Sequence, residues 1–232
     1  MKAAFQSILI SFLFILNGSW ALSNQLPFSA GETITYDIKK FRLTVGEASL
    51  VFKGETEVKS QKALLIIFTV KALNFFDEEK IYVDPKTFYP RVVERNLDLW
   101  GKKEFITEEY DQRKGSIKIK KQSGGKTSEQ MIQKAGPIDN IYGFIYRYRV
   151  SGQNKKGERF KIRLPTRDVE FQMVREERIN AAKQEFTAYY MESVPKKNSV
   201  WFEKGIGRIP LKIDGAVNLA AASLVMKKYK RE

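Results

Sequence analysis

Carboxylates are the side chains of this sequence that come closest to a catalytic arrangement. Two carboxyl groups that face one cleft can act as general acid and general base. Successive residues of a strand, however, point to opposite sides of a sheet, so adjacent acids do not converge. Each cluster also has Lys or Arg nearby, and we interpret all three as solvated charge. The clusters are Asp77-Glu78-Glu79, Glu108-Glu109 with Asp111, and Glu176-Glu177.

The sequence contains no cysteine and no histidine, and these two absences exclude several classes of site. Disulfides, Cys- or His-based nucleophile systems, and Cys- or His-ligated zinc, haem and copper are ruled out. Oxygen ligands for Ca²⁺ or Mg²⁺ are present, but no acidic cluster has the spacing of a calcium loop. We therefore expect no catalytic residue, no metal site and no cofactor, and we expect that the protein is not an enzyme.

Positive charge is the strongest compositional feature. The chain has 41 Lys and Arg against 27 Asp and Glu, a net charge of +14. A basic surface attracts anionic lipid headgroups, phosphate or acidic glycan. The simpler interpretation is a solvated sheet face, since lysines keep edge strands from pairing. The candidate residues for an anionic partner alternate with apolar residues along two predicted strands; they are Arg159, Lys161, Arg163, Lys118 and Lys120.

Aromatic residues are the second candidate binding feature. Apolar residues at spacings of three and four predict one helix near residues 139–150, with Asp139 as its N-cap and Gly152 at its end. Its rings point to more than one side, which is typical of a helix that is buried or lines a cavity. Core packing is the simpler interpretation, and an apolar pocket between helix and sheet is the alternative. The candidate ligand-binding residues are Tyr142, Phe144, Tyr146 and Trp201.

The elements that position these residues are mostly strands. Apolar residues alternate with polar ones along about a dozen segments, of which Ile34 to Ile38 and Arg159 to Leu164 are examples. The connectors are short. We predict a single all-β domain over residues 24–232, built as one large curved antiparallel sheet, a half-barrel or barrel, with the helix covering one side. Lys227 to Glu232 are expected to form a frayed basic tail.

Residues 1–23 have the pattern of a secretory signal peptide. Lys2 precedes an apolar stretch from Ile8 to Leu16, which is shorter than a membrane-spanning helix, and cleavage is expected after Ala21 or Ser23. An uncleaved N-terminal anchor is the alternative. No later stretch approaches the length of a membrane span. We expect a periplasmic protein, or a secreted one, for which nucleic acid is a poor partner.

Several segments resemble a family of exported bacterial proteins known as domain of unknown function 3108. The opening from Phe28 to Asp37, the strand Val45 to Leu50 and the helix region Asp139 to Arg149 are similar to that family. So are Val200-Trp201-Phe202 and Arg208 to Ile213 near the C terminus. The resemblance covers nearly all of residues 24–232. It implies a β-rich envelope protein and transfers no functional residue.

Two hypotheses of function follow. The first is a non-enzymatic periplasmic or envelope binding or accessory protein whose curved sheet holds an amphipathic or apolar, lipid-like ligand. The second is an envelope interaction protein with a packed core that docks on a protein or an anionic glycan through the basic strand face. A two-carboxylate hydrolase is a distant third, which a pair of buried acids facing one cleft would support.

Overall fold

The described part of the chain forms fourteen strands and one helix. A computed structural model describes residues 26–41, 43–215 and 222–231, so the predicted signal peptide lies outside the described residues. The helix α1 spans Ile141–Ser151. The strands are β1 (Thr33–Lys40), β2 (Leu43–Val58), β3 (Gln61–Ala72), β4 (Phe75–Val83), β5 (Pro90–Leu99), β6 (Lys102–Asp111), β7 (Ser116–Ser123), β8 (Lys126–Gln133), β9 (Arg159–Arg163), β10 (Asp168–Ala181), β11 (Gln184–Val194), β12 (Ser199–Glu203), β13 (Pro210–Asp214) and β14 (Ser223–Lys230).

All fourteen strands belong to one antiparallel sheet, which confirms the predicted fold class. Their order is β8-β7-β6-β5-β4-β3-β2-β1-β14-β13-β12-β11-β10-β9. Strands that follow one another in the chain are mostly neighbours in the sheet, because short turns join antiparallel strands. The first and last strands of the chain, β1 and β14, meet in the middle. The edges are β8 and β9, and the sheet is not closed.

The segment between β8 and α1 makes polar contacts along the open seam. The Lys134 Nζ lies 3.1 Å from Asp168 Oδ1, at the start of β10. The Asp139 backbone N–H donates to the Arg163 carbonyl at 2.7 Å, and the Arg163 N–H donates to Asp139 Oδ2 at 3.2 Å. These bonds satisfy backbone groups of the edge strand β9 that have no strand partner on that side.

The helix begins one residue later than the sequence predicts. Asn140 is the N-cap, and its Oδ1 accepts hydrogen bonds from the backbone N–H groups of Tyr142 at 2.9 Å and Gly143 at 3.3 Å. The prediction of Asp139 as the cap is therefore wrong. The Asp139 carboxylate instead forms an ion pair with the Arg147 guanidinium at 2.6 Å, about two turns into the helix. Both residue types cap helices well, and the position of Arg147 decides between them.

Glycine inside α1 has a packing reason. A Cβ added to Gly143 would lie 3.0 Å from the Phe88 carbonyl oxygen and 3.5 Å from Val83 Cγ1, so the helix approaches the sheet closely here. This contact offsets the lower helix propensity of glycine. At the other end Gly152 closes the helix as predicted, and its N–H donates to the Tyr148 carbonyl at 2.8 Å.

The core lies between the concave face of the sheet and α1. The alternation predicted for β1 is confirmed, since Ile34, Tyr36 and Ile38 are fully buried and the residues between them are half-buried. Rings of α1 contact rings of β2, β3, β9, β10 and β12. The helix thus packs against both halves of the sheet and buries an apolar face that neither half could bury alone.

The basic C-terminal segment is part of the sheet and not a frayed tail. Lys230 pairs with Thr33 and Lys228 pairs with Thr35, so β14 continues to Lys230 beside β1. The Tyr229 hydroxyl donates to Glu32 at 2.9 Å. The prediction failed because exposed lysines make a strand resemble a solvated tail, while its backbone bonds with a distant strand leave no local signal.

Candidate functional site

The three helix residues predicted to bind a ligand are packed into the core. Tyr142 stacks on Phe68 with ring centroids 4.0 Å apart, and Phe144 stacks on Phe171 at 5.8 Å. Tyr146 is fully buried as well. Ring-to-ring contacts of this kind are worth about 0.5–1.5 kcal/mol beyond the burial of apolar area. These side chains hold α1 on the sheet.

Trp201, the fourth predicted ligand residue, lies on the other face of the sheet. Its neighbour Phe202 packs on Tyr148 of α1 at 4.4 Å, so Trp201 points away from the helix. There its ring is 4.8 Å from that of Tyr190 and lies under Lys212 Nζ at 4.1 Å. The four predicted residues therefore do not form one site.

The alternation predicted for β9 is present. Ile162 is buried, while Arg159 and Lys161 are exposed on the opposite face. Arg159 Nη1 lies 2.8 Å from Glu170 Oε1 of β10, and Arg163 lies at the seam, where its backbone bonds Asp139. The Glu170 carboxylate thus offsets one of the positive charges that β9 presents to solvent.

The second predicted basic pair lies on β7. Lys118 and Lys120 are exposed on one face of β7, and Ile117, on the opposite face, is buried. Lys118 Nζ is 3.0 Å from Glu129 on β8. The two groups of basic residues lie on strands β7 and β9, which are not paired with each other in the sheet.

A different set of residues converges on the concave side of β4 to β7. Strand register places Glu79 opposite Arg95, Arg95 opposite Ile106, and Ile106 opposite Lys121. One row above, Asp77 lies opposite Leu97. One row below, Val93 lies opposite Glu108 and Glu108 opposite Ile119. We call this set the inner β4–β7 surface; its members are Asp77, Glu79, Arg95, Leu97, Glu104, Ile106, Glu108, Ile119 and Lys121.

Arg95 is the central cation of the inner β4–β7 surface. Its Nε donates to Asp77 Oδ1 at 2.7 Å and its Nη2 donates to Asp77 Oδ2 at 2.5 Å, a bidentate pair. The Arg95 Nε also lies 3.7 Å from Glu79 Oε1. On the neighbouring strands Lys121 Nζ lies 2.7 Å from Glu104. Charges that face inward are therefore paired, as half-buried charges require.

Two carboxyl groups of this surface are hard to ionise. Burial raises the pKa of Glu79 to about 7, where Arg95 lowers it and the neighbouring Asp77 and Glu108 raise it further. Burial also raises the pKa of Glu108, against a hydrogen bond from the Tyr110 hydroxyl that lowers it. At neutral pH Glu79 can therefore hold and release a proton, the property that acid–base chemistry needs.

Glu79 also ties this surface to the helix. The Asn140 Nδ2 donates to Glu79 Oε2 at 3.4 Å, while Asn140 Oδ1 caps α1. Adjacent acids diverge as predicted, because Glu78 lies on the other face of β4 and pairs with Lys80 at 3.9 Å. Glu79 and Glu108, acids of different clusters, lie on one face, which was not predicted. The available signal was their period-two spacing from Asp77 and Tyr110.

Apolar side chains of the same surface stay partly exposed. Leu97, Ile106 and Ile119 are half-buried and lie outside the core cluster, although they point to the concave side. On β1 the inward residues are fully buried. The inner β4–β7 surface is thus a partly solvent-accessible apolar floor bordered by paired charges, as in many ligand sites.

Comparison with known proteins places the chain in a family. The family model described as protein of unknown function (DUF3108) matches residues 33–226. The chain belongs to the DUF3108 family. No curated protein matches this DUF3108 chain.

Two solved structures resemble this DUF3108 protein. A β-barrel-like protein of domain of unknown function DUF1849 from Brucella abortus has a TM-score of 0.53 at 8% identity, covering 88% of this chain and 99% of that one. A Bacteroides fragilis protein provisionally named as exported, with a YmcC-like fold, has a TM-score of 0.33 at 10% identity, covering 89% and 98%. The first likeness shows a shared fold.

A fully buried ion pair joins the DUF3108 helix to the start of the sheet. Arg149 Nη1 and Nη2 donate to the two carboxylate oxygens of Glu32 at 2.5 and 2.8 Å, and Arg149 Nε donates to the Gly207 carbonyl at 2.8 Å. Tyr229 adds a third donor to Glu32. With neither charge exposed, the pair stabilises the fold only while both members are present.

Within residues 26–41, 43–215 and 222–231, no helix is both long and apolar enough to cross a bilayer. Over the same residues no group of three or more Asp or Glu side chains is arranged to hold a metal ion.

Proposed function

We propose that this DUF3108 protein is a non-enzymatic binding protein of the bacterial cell envelope that holds an amphipathic, lipid-like ligand on its inner β4–β7 surface. The observation that carries the proposal is the half-exposed floor of Leu97, Ile106 and Ile119 on the concave side. A ligand that covers this floor gains about 25 cal/mol for each Å² of apolar area removed from water.

The polar groups around the floor suit the head of such a ligand. Arg95, Lys121 and the protonated carboxyl of Glu79 can donate hydrogen bonds to it. The proposal differs from the sequence-based one in its residues, because Tyr142, Phe144 and Tyr146 are engaged in packing α1. The proposed site therefore lies on the sheet beside α1 and not on the helix itself.

The proposed location is the periplasm, with secretion as the alternative. Its support is the signal-peptide pattern of residues 1–23, with Lys2, the apolar stretch Ile8 to Leu16 and small residues before the predicted cleavage sites. N-terminal sequencing of the protein recovered from a periplasmic extract tests it, and a chain that begins at Leu22 or Asn24 is expected.

Binding of a dansyl-labelled fatty acid tests the proposed site. Ile106→Gln removes apolar floor, and Thr107→Gln places the same side chain on the opposite face of β6 as the matched control. We expect saturable binding by the wild type and by Thr107→Gln, and a loss of about tenfold or more in Ile106→Gln. Equal affinity of both variants, or no binding by the wild type, contradicts the proposal.

The second candidate function is docking on an anionic partner through the outer face of β9. The exposed Arg159 and Lys161 on an edge strand favour it. Arg159→Glu with Lys161→Glu should abolish binding of an acidic glycan under this alternative and leave fatty-acid binding unchanged. Glycan binding that survives the double reversal rules out this face.

A further inference from the structure

Three neighbouring hairpin turns lie at one end of the sheet. They join β1 to β2 after Lys40, β3 to β4 at Leu73-Asn74, and β5 to β6 at Trp100-Gly101. Since β1 to β6 are consecutive antiparallel neighbours, every second turn falls at the same end. We call the exposed apolar residues of these turns the hairpin-tip surface; they are Phe41, Leu43, Leu73, Leu99 and Trp100.

The apolar side chains of this surface face solvent almost completely. Phe41, Leu43, Leu73 and Trp100 are 70–84% exposed. Single exposed apolar residues are ordinary, but an aromatic or aliphatic side chain at every one of three adjacent tips is a concentrated apolar patch. Such patches mark sites of interaction with proteins or membranes.

The three turns are held side by side. The Trp100 backbone N–H donates to the Asn74 carbonyl at 2.9 Å, which joins the second and third tips. The first hairpin is held against β3, because a Cβ on Gly46 would lie 2.5 Å from the Lys71 carbonyl oxygen. The tips therefore present their side chains together and in a defined order, with little conformational entropy left to lose on binding.

The backbone at two tips makes aromatic residues an unfavourable choice for folding. Phe41 has φ of 48° and Trp100 has φ of 56°, in the left-handed region where turns favour glycine or asparagine. An exposed ring at such a position costs conformational free energy and gains little packing in the free protein. The residue types are thus better explained by what they contact outside the chain than by the stability of the turns.

Charge around the tips identifies the partner. The described residues of the tip segments 39–45, 71–75 and 98–103 include five basic residues and one acid, Asp98, which accepts the Gly101 N–H at 2.8 Å. Apolar tips flanked by lysines fit an anionic lipid surface, where rings enter the headgroup region and long cationic side chains reach the phosphates. The basic residues are Lys39, Lys40, Lys71, Lys102 and Lys103, of which Lys39 also lies 3.4 Å from Asp37.

We propose that the three hairpin tips insert Phe41, Leu73 and Trp100 into the surface of an anionic phospholipid bilayer, with the flanking lysines on its headgroups. Both acidic phospholipid and apolar insertion are required, because neither charge nor one or two side chains alone gives stable binding. The surface is separate from the inner β4–β7 surface and acts whether or not a ligand binds there.

Tryptophan fluorescence reports the insertion directly. Of the three tryptophans, Trp20 precedes both predicted cleavage sites and Trp201 is 8% exposed, so Trp100 is the exposed reporter of the exported protein. We expect its emission to shift to shorter wavelength, and its quenching by acrylamide to fall, on addition of phosphatidylglycerol–phosphatidylcholine vesicles. Vesicles of phosphatidylcholine alone should have little effect. An unchanged spectrum with the mixed vesicles overturns the proposal.

Sedimentation with the same vesicles tests the residues. The triple variant Phe41→Ser, Leu73→Ser, Trp100→Ser should lose about 100-fold or more in partition coefficient. Ile206→Ser is the matched control, because Ile206 is 90% exposed in the β12–β13 connection at the opposite end of the sheet. Circular dichroism verifies that each variant is folded. Equal partition of wild type and triple variant refutes insertion.

Charge reversal separates the lipid surface from other partners. Lys102→Glu with Lys103→Glu should weaken binding to the mixed vesicles by about tenfold or more, whereas Arg159→Glu with Lys161→Glu, the same charge change on β9, should not. Equal losses in both double variants contradict docking through the tips. Self-association of the wild type that the tip substitutions abolish, without vesicle binding, assigns the surface to a second copy of the chain instead.

Discussion

The raised pKa of Glu79 predicts that the protein loses stability as pH rises toward neutrality. Glu79 has a pKa of about 7 in the fold against 4.5 in the unfolded chain. Between these values the unfolded chain has released the proton that the folded chain retains, so each increase in pH favours unfolding. Glu79 therefore lowers the free energy of unfolding by about 3 kcal/mol between pH 4.5 and pH 8, and this loss is constant above that range.

Glu79→Gln isolates this contribution. The amide cannot ionise, keeps a donor and an acceptor near Asn140 and Arg95, and should remove most of the loss between pH 5 and 8. Glu78→Gln is the control, because Glu78 lies one residue away on the opposite face of β4. Urea unfolding followed by circular dichroism at several pH values measures the free energy of unfolding for each protein.

The neighbouring Glu108 allows a second comparison, between the single and the double variant. Burial raises the pKa of Glu108 as well, so Glu108 contributes to the same loss of stability with rising pH. The free energy of unfolding of the double variant Glu79→Gln, Glu108→Gln should therefore change even less between pH 5 and 8. If wild type and Glu79→Gln lose stability equally with pH, or if the wild type gains it from pH 5 to 7, the assigned environment of Glu79 is incorrect.

Three further predictions concern the fold and its surface. Glu32→Gln should cost about 3–5 kcal/mol of unfolding free energy, measured in urea, whereas adding Arg149→Met should recover part of it; a further loss in the double variant contradicts the buried pair. Gly143→Ala should lower stability by about 1 kcal/mol despite better helix propensity, because its Cβ meets the Phe88 carbonyl; a gain argues against that contact. Arg159→Gln should change stability by less than about 1 kcal/mol, and a larger loss contradicts an exposed pair.

Period and residue type were enough to predict the class of fold. Alternation at Ile34 to Ile38 and at Arg159 to Leu164 marked strands that bury one face, and the spacing after Pro137 marked one helix. These signals are local, since one strand or one helix turn carries them. The absence of cysteine and histidine likewise depends on composition alone and limits the chemistry whatever the fold.

The face of the sheet that a side chain occupies, and the residues that it contacts, were decided by contacts between distant segments. Trp201 lies among apolar neighbours on both sides, Val200 and Phe202, so alternation did not indicate which face is inward. Asp139 and Asn140 are equally good caps by type, and the contacts of Asp139 with Arg163 of β9 and Arg147 of α1 assigned their roles. In each case the deciding interaction is with a residue of another secondary-structure element.

The sequence by itself determined which side chains are available, how they alternate along each strand, and that the net charge is strongly positive. Only the tertiary structure decided that Glu79 and Glu108 lie on one face of the sheet, in adjacent rows on either side of β5, and that Phe41, Leu73 and Trp100 lie at the same end of the sheet. The physical reason is that strand order and register depend on which distant strands pair, and pairing between distant strands leaves no signal within the residues of one strand.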